Sequence, residues 1–213
     1  MMLPPFYPIL DSDTLARRGC PSAVAAEALL EAGVKILQLR HKENFDRETF
    51  ETAGTIATLC RQAGALFVIN DRADIARLLN AALHLGQSDL PPGEARKVTG
   101  PDSLLGYSTH NEQQLAASTA EQVDYVALGP IFDTASKTNP DPVVGVETLR
   151  RLRPITARPL VAIGGITRLN ARQALDAGAD SVAIIGDLYP HECTRASIRA
   201  RAEEWMKLTN ANN

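Results

Sequence analysis

Residues 158–189, RPLVAIGGITRLNARQALDAGADSVAIIGDLY, contain the pattern that decides the fold. A short apolar run at 158–165 predicts a buried strand, and a second run of the same kind follows at 181–189. Between them, apolar residues recur at helical spacing over 167–179. Strands that alternate with helices at this spacing lie parallel, because the helix carries the chain back to the start of the next strand. The stretch therefore predicts a strand–helix–strand unit of a parallel sheet.

The same alternation extends over the rest of the chain. Helical patterns separate the other apolar runs, although the one within 91–100 is turn-rich and predicts only about one helical turn. Eight units in 213 residues predict a single compact (β/α)8 TIM barrel spanning 1–213, with a frayed end at NANN. An open doubly wound sheet is the alternative, but its GxGxxG motif is absent. The other predicted strands lie at 6–11, 34–41, 65–71, 82–87, 103–109 and 124–132.

Composition excludes several classes of protein. No run approaches the roughly 20 apolar residues of a membrane span, and the N-terminus lacks the features of a signal peptide. The net charge of −3 argues against a nucleic-acid surface, so any anion site must be built locally. Cys20, Cys60 and Cys193 are far apart and lack metal-ligand spacing. We expect free thiols in a cytoplasmic protein that binds neither membranes nor nucleic acid.

Polar side chains collect where the predicted strands end. Catalytic groups of such barrels lie at this carboxyl face, in the loops that follow the strands. Side chains two residues apart on a strand share a face, so neighbours can converge. Each residue alone also fits an ion pair, a helix cap or a turn, but their repetition at strand ends favours a site. The residues are Gln38, Arg40, Lys42, Asn70, Asp71, Gln87, Asp89, Ser108, Gly164, Gly165, Ile185 and Gly186.

The residue types at these ends indicate phosphate chemistry. The glycines of IGGI precede a predicted helix start, where backbone N–H groups bind phosphate. Asp71 and Asp89 are suited to hold a magnesium ion, which takes one or two carboxylates and completes its shell with phosphate and water. Arg40 and Lys42 would then surround a second, more highly charged phosphate group. No histidine–carboxylate pair is arranged as a general base, so the pattern predicts a site that binds and releases diphosphate.

A long polar segment follows the sixth predicted strand, within GPIFDTASKTNPDPVVG at 129–145. It carries Thr134, Ser136 and Lys137 without a helical period, and loops of this length are usually functional or disordered. Hydroxyl groups beside an ammonium suit an anion, and Lys137 would add a third cation near the diphosphate. The alternative is a mobile surface loop.

Several motifs together resemble the thiamine phosphate synthase family over nearly the whole chain, from Tyr7 to Tyr189. Their combination is far more specific than any one of them. The matching motifs are QLRHK at 38–42, NDRADIA at 70–76, HLGQSDLP at 84–91, G-x-S-x-H at 106–110, the long loop at 129–145 and IGGI at 163–166.

The resemblance implies an enzyme that joins 4-amino-2-methyl-5-hydroxymethylpyrimidine diphosphate to a thiazole phosphate, giving thiamine phosphate and diphosphate. In this family diphosphate departs first, and the thiazole nitrogen attacks the pyrimidine-methyl cation that remains. The implied Mg²⁺ ligands are Asp71 and Asp89, and the implied catalytic groups are Arg40, Lys42, Ser108 and Lys137. The implied contacts to the pyrimidine diphosphate are Gln38, Arg40, Lys42, Asn70, Ser108 and Lys137. Those to the thiazole phosphate are Thr134, Ser136, Gly165, Ile185 and Gly186. Leu39, His41 and Ala135 are further implied substrate contacts.

Two departures from the family pattern concern the thiazole phosphate. Family members often carry serine at the position of Gly186, so one side-chain contact to phosphate would be absent. Asp133 adds a negative charge where the family often has the sequence PTxTK. Neither departure removes a predicted metal ligand or Lys137.

Two other functions stay open at this point. A thiazole tautomerase of the same barrel group would handle the thiazole phosphate alone, and such proteins tend to carry histidine in place of Pro130. A non-catalytic phosphate-ester sensor would keep the glycine turn but has little need for Asp71, Asp89 and Lys137 together. The full set of residues in this chain favours the synthase.

Overall fold

The chain folds as a closed barrel in a computed structural model that describes residues 2–134 and 141–210. Neighbouring strands are parallel and follow sequence order, and the first strand pairs with both the second and the last to close the ring. The predicted TIM barrel is confirmed, and the open sheet is excluded. The strands are β1 (Phe6–Asp11), β2 (Ile36–Arg40), β3 (Leu66–Asn70), β4 (Ala82–Leu85), β5 (Leu105–Thr109), β6 (Tyr125–Leu128), β7 (Leu160–Ile163) and β8 (Ser181–Ile184).

Helices connect the strands and pack around the barrel. The largest apolar core lies between the two layers, where Trp205 stacks on Phe6 of β1 with ring centroids 5.7 Å apart. The helices are α1 (Ser12–Arg17), α2 (Ser22–Glu31), α3 (Arg47–Ala63), α4 (Ala73–Leu79), α5 (Pro92–Thr99), α6 (Glu112–Ser118), α7 (Val146–Leu152), α8 (Ala171–Asp176) and α9 (Arg195–Asn210).

Local sequence explains where α3 begins and ends. The Asp46 carboxylate accepts a hydrogen bond from the backbone N–H of Thr49 at 2.9 Å, which satisfies a donor of the first turn. Gly64 ends the helix in the left-handed region at φ 60°, a conformation that glycine adopts without steric cost. Both features agree with the sequence.

Two helices differ from the prediction, and α1 was not predicted at all. The segment 91–100 forms the eight-residue helix α5 rather than one turn. Proline is well tolerated at the start of α5, because a first-turn N–H has no partner inside the helix. Helix α8 begins only at Ala171, since residues after Gly165 form turns first.

Alternation along the strands decides which side chains enter the barrel. Inward-facing apolar residues such as Ile36, Val68 and Val161 form a separate core inside the ring. Two residues further along β2 and β3, the inward positions are held by Gln38 and Asn70, both buried. The barrel is therefore apolar near the strand starts and polar near the strand ends.

The structure also bears on two compositional predictions. In the described parts of the chain, no helix has both the length and the apolar character needed to cross a membrane. The three cysteines are free thiols, as predicted, and Cys20 and Cys60 are buried.

Candidate active site

A cavity of about 770 Å³ opens at the carboxyl ends of the strands, and every strand contributes to its wall. The structure therefore brings most of the sequence-predicted site residues together. Three of them, Ala135, Ser136 and Lys137, lie outside the described residues. Those that line the cavity are Gln38, Arg40, Lys42, Asn70, Asp71, Asp89, Ser108, Thr134, Gly165, Ile185 and Gly186.

Two predicted contacts, Leu39 and His41, lie away from the cavity. They alternate with the cavity-lining residues of the QLRHK motif, so their side chains occupy the other face. Leu39 packs in the core between barrel and helices. The His41 ring is engaged by the Ser12 hydroxyl at 2.9 Å and by the Asn44 carbonyl at 3.2 Å. Any contact of these two residues with a ligand would have to come from the backbone.

Two ion pairs position the cations of the cavity wall. Arg40 donates to the carboxylate of Asp11, with 2.5 Å between nitrogen and oxygen, and Asp11 is only 3% exposed. Asp11 ends β1 and also accepts from Thr14 at the start of α1, so the acid and the arginine are held together. Lys42 donates to Asp71 at 2.5 Å from a more exposed position. Both cations therefore line the cavity in positions that their carboxylate partners fix.

The two predicted metal ligands lie next to each other. Asp71 has a φ of 66°, and its N–H donates to the carbonyl of His84, which extends the pairing of β3 and β4. Helix α4 has Arg72 at its N-cap with no side-chain cap bond, so Asp71 does not act as a helix cap. The Asp89 carboxylate accepts from the N–H of Gly86 at 2.6 Å and lies within hydrogen-bonding reach of Asp71.

The contact between these two acids has an electrostatic cost. Burial, followed by the contact with Asp89, raises the pKa of Asp71 from 3.8 to about 6, and the nearby Lys42 opposes part of that rise. A carboxyl that resists ionising beside a second carboxylate suits a divalent cation, which would neutralise both. Among the described residues, no histidine, cysteine or further carboxylate joins Asp71 and Asp89 as a third metal-binding group. One or two carboxylates are what Mg²⁺ usually takes from a protein.

The glycine turn after β7 forms the opposite wall. Gly164 and Gly165 have φ values of 94° and 65°, and a Cβ on Gly165 would lie 2.3 Å from the carbonyl oxygen of Asp133. The N–H of Ile131 donates to the Ile163 carbonyl at 2.9 Å, so the segment after β6 is tied to this turn. The predicted placement of this turn at a helix start is wrong, because α8 begins at Ala171.

The end of β8 adds backbone groups to the same wall. Ile185 caps a single 3-10 turn over Gly186–Leu188, so N–H groups at its start are available to an anion. Gly186 does not have a positive φ, and a Cβ there would meet no atom within 4 Å. The neighbouring Asp187 is paired with Arg168 at 2.9 Å, which offsets its negative charge beside the cavity.

Sequence reasoning missed several cavity residues. The sequence predicted no histidine–carboxylate pair arranged as a general base; the structure places His110 Nδ1 3.5 Å from the Asp141 carboxylate, a proximity that the sequence did not indicate. The same nitrogen lies 2.6 Å from the Gly129 carbonyl, so it donates there rather than acting as a base. Inward positions of two strands also hold Tyr7 and His84. Strand alternation extended back from Ile9 and Gly86 would have placed both in the interior.

The sequence and the fold of this chain are similar to those of known proteins. The family model for thiamine monophosphate synthase matches residues 6–188. A thiamine-phosphate synthase of Koribacter versatilis is 45% identical over 214 residues, covering 99% of this chain and 98% of its own. One of Chlorobium phaeovibrioides is 40% identical, covering 86% and 88%. The solved thiamine phosphate pyrophosphorylase of Pyrococcus furiosus aligns with a TM-score of 0.84 at 30% identity, over 98% of this chain and 96% of that one. The chain belongs to the thiamine monophosphate synthase family.

Proposed function

We propose that the chain joins 4-amino-2-methyl-5-hydroxymethylpyrimidine diphosphate to a thiazole phosphate and releases thiamine phosphate and diphosphate. One observation carries the proposal. Two polar regions face each other across a single cavity, one with cations and a carboxylate pair on β2 to β4, the other with backbone groups after β7 and β8. Two phosphorylated substrates, one more highly charged than the other, fit this division. The names of the relatives agree with it.

The diphosphate belongs on the side of Arg40 and Lys42. Both are held at the cavity by carboxylate partners, so they present charge in a fixed place. The side-chain nitrogen of Asn70 is buried and has no hydrogen-bond partner among the described residues. A buried donor without a partner is costly, and a phosphate oxygen or another ligand acceptor would satisfy it.

Asp71 and Asp89 would hold Mg²⁺ beside the same group. Their contact and the raised pKa of Asp71 support this assignment, because a divalent cation removes the repulsion between the carboxylates. When bound, Mg²⁺ stabilises the charge that develops on the departing diphosphate. Lys42 contacts Asp71 and therefore orients one carboxylate of the pair.

The thiazole phosphate belongs on the opposite wall. Gly165 allows the turn there to approach closely, and the N–H groups at Ile185 and Gly186 would donate to phosphate oxygens. Thr134 also lines the cavity and can supply a hydroxyl. Roles for Ala135, Ser136 and Lys137 stay predictions from the sequence.

The reaction requires no proton transfer by the protein. The bond between the pyrimidine methylene carbon and the diphosphate oxygen breaks, and both electrons leave with diphosphate. The thiazole nitrogen then donates its lone pair to the same carbon, so no proton moves and no general base is needed. The protein binds both substrates in one cavity, which makes the second step effectively intramolecular. The cations stabilise the leaving group.

Product analysis with both substrates and Mg²⁺ tests the proposal. We expect thiamine phosphate and diphosphate in equal amounts, with much less diphosphate when either substrate is supplied alone. A tautomerase would convert thiazole phosphate isomers without diphosphate release, and a sensor would bind without turnover. Either result would contradict the proposal. No contact in the described part of the chain favours those alternatives, which have no use for the pair Asp71 and Asp89.

A further inference from the structure

Five side chains form a continuous line of hydrogen bonds across the barrel interior. Gln38 Nε2 donates to the hydroxyl of Tyr7 at 2.8 Å, and that hydroxyl lies 2.8 Å from the hydroxyl of Tyr125. The Tyr125 hydroxyl lies 3.1 Å from His84 Nδ1, and His84 Nε2 lies 2.8 Å from Ser108 Oγ. We call this line the relay. It joins β2, β1, β6, β4 and β5, and both of its ends line the cavity.

The middle of the relay is sealed from solvent. Tyr7 is 1% exposed and Tyr125 is fully buried. Burial raises the pKa of Tyr7 to about 12 and that of Tyr125 well above its ordinary value. Both hydroxyls therefore keep their protons, and each must donate as well as accept within the line.

The direction of the relay follows from its one unambiguous donor, Gln38, and from the need of each buried hydroxyl to donate its own proton. An amide nitrogen can only donate, so the hydroxyl of Tyr7 accepts from Gln38 and passes its own proton toward Tyr125. Tyr125 would then donate to Nδ1 of His84, 3.1 Å away. A neutral imidazole that accepts at Nδ1 carries its proton at Nε2, which would donate to Ser108. The hydroxyl proton of Ser108 is left for the cavity.

We propose that His84 is a positioning residue, held by Tyr125 as the neutral Nε2–H tautomer, and that the relay sets the hydrogen-bonding polarity of the pyrimidine site. Gln38 commits its nitrogen to Tyr7 and presents its oxygen as an acceptor, while Ser108 presents its hydroxyl as a donor. This inference rests on the proposed function. A 4-aminopyrimidine offers an N–H donor beside a ring nitrogen acceptor, whereas a 4-oxopyrimidine offers the reverse pattern. The relay would select the first and reject the second.

Gly106 gives independent support for a built arrangement. A Cβ at this position would lie 2.1 Å from Cζ of Tyr125 and 2.4 Å from its hydroxyl oxygen. Only glycine therefore lets the Tyr125 ring cross β5 to reach His84, on which it stacks with ring centroids 5.6 Å apart. The first residue of the G-x-S-x-H motif makes room for the relay, and the serine ends it.

A spectroscopic experiment tests the tautomer without activity. In ¹⁵N-histidine-labelled protein at neutral pH, we expect one imidazole with a protonated Nε2 and an unprotonated Nδ1. That signal should disappear in His84→Gln, which assigns it, and it should shift in Tyr125→Phe. A protonated Nδ1 on His84, in either a neutral or a charged ring, would reverse the direction of the relay and overturn the inference.

Kinetics with both substrates test the consequence. Loss of one neutral hydrogen bond in Tyr125→Phe or Tyr7→Phe should raise the KM for the pyrimidine diphosphate about three- to tenfold, with the KM for thiazole phosphate unchanged. Discrimination against the 4-oxo analogue should fall by a similar factor. His84→Gln keeps an N–H donor for Ser108, so it should lose less than His84→Leu.

Tyr189→Phe is the matched control. Its hydroxyl is equally buried and donates to the Ile9 carbonyl at 2.8 Å, outside the relay. If Tyr125→Phe and Tyr189→Phe have the same KM values for both substrates, the relay does not position the pyrimidine. Wild-type protein that makes no thiamine phosphate would instead contradict the proposed function, and the tautomer of His84 could still be determined.

Discussion

Replacement of Asp71 by asparagine should stabilise the metal-free protein while removing most of its activity. The carboxyl of Asp71 is partly buried against Asp89, and its pKa is raised from 3.8 to about 6. A carboxyl with a higher pKa in the folded chain binds its proton more tightly there than in the unfolded chain. The folded state therefore loses stability as the pH rises from about 4 to about 6, and the loss persists above that range. Asparagine has no proton to lose.

The rise in the pKa of Asp71 from 3.8 to about 6 gives the expected magnitude. Each unit corresponds to about 1.4 kcal/mol, so ionised Asp71 destabilises the fold by roughly 2–3 kcal/mol at pH 8. This value already includes the opposing effect of Lys42, which the pKa reflects. For a chain of this size, Asp71→Asn should raise the Tm by about 5–10 °C near pH 8 and by almost nothing near pH 4. Asparagine also tolerates the φ of 66°.

Thermal unfolding with a chelator present, followed across this pH range, measures the effect. Asp102→Asn is the matched control, because Asp102 is exposed in a turn between α5 and β5 at the other end of the barrel. Added Mg²⁺ should stabilise the wild type more than Asp71→Asn. If Asp71→Asn lowers the Tm near pH 8, the ion pair with Lys42 outweighs the contact with Asp89, and the electrostatic reasoning fails.

Substitutions at three further positions test the proposed substrate contacts. Gly186→Ser meets neither a steric nor a backbone obstacle. Because the serine hydroxyl would add one hydrogen bond to phosphate, the KM for thiazole phosphate should fall a few-fold, up to about tenfold. An unchanged or higher KM in steady-state kinetics would show that no such bond forms. Gly165→Ala should raise that KM and destabilise the fold by roughly 1–3 kcal/mol, because its φ is 65° and its Cβ would meet Asp133; a normal Tm would show that the turn relaxes freely. If the ammonium of Lys137 stabilises the departing diphosphate, Lys137→Ala should lower turnover by about 10²–10³, with smaller changes in KM. Lys137→Arg should restore only part of the turnover. A change confined to a KM would limit Lys137 to substrate binding.

The barrel could be predicted from sequence because its signals are local. Apolar runs, helical spacing and end signals such as Asp46 and Gly64 recur within short windows, and their regular alternation specifies parallel strands. The errors arose where a local signal has two outcomes. The prolines before 93 were taken to mark a turn, although proline also suits the first turn of a helix. The paired glycines at 164 and 165 mark a turn that is followed by further turns before α8 begins.

The cavity was predictable to the extent that strand ends define it. Position along each strand gave Arg40, Asn70 and Asp71, and strict alternation excludes the side chains of Leu39 and His41. Contacts that form only when the barrel closes and brings distant strands together could not be predicted. The hydroxyls of Tyr7 and Tyr125 meet across 118 positions of sequence, and no local pattern records that pairing.

Some polar groups of the cavity are hydrogen-bonded or paired within the protein, and others are left to interact with ligands. The ion pair of Arg40 with Asp11 and the buried middle of the relay are satisfied by protein groups, so they hold their geometry before any substrate arrives. Asn70 has a buried donor without a partner in the described chain, and Asp71 carries a carboxylate that resists ionisation. Groups in this state destabilise the free protein and are relieved by an anion and a cation together. Both lie at the end of β3, which is where we propose that the diphosphate and its metal ion bind.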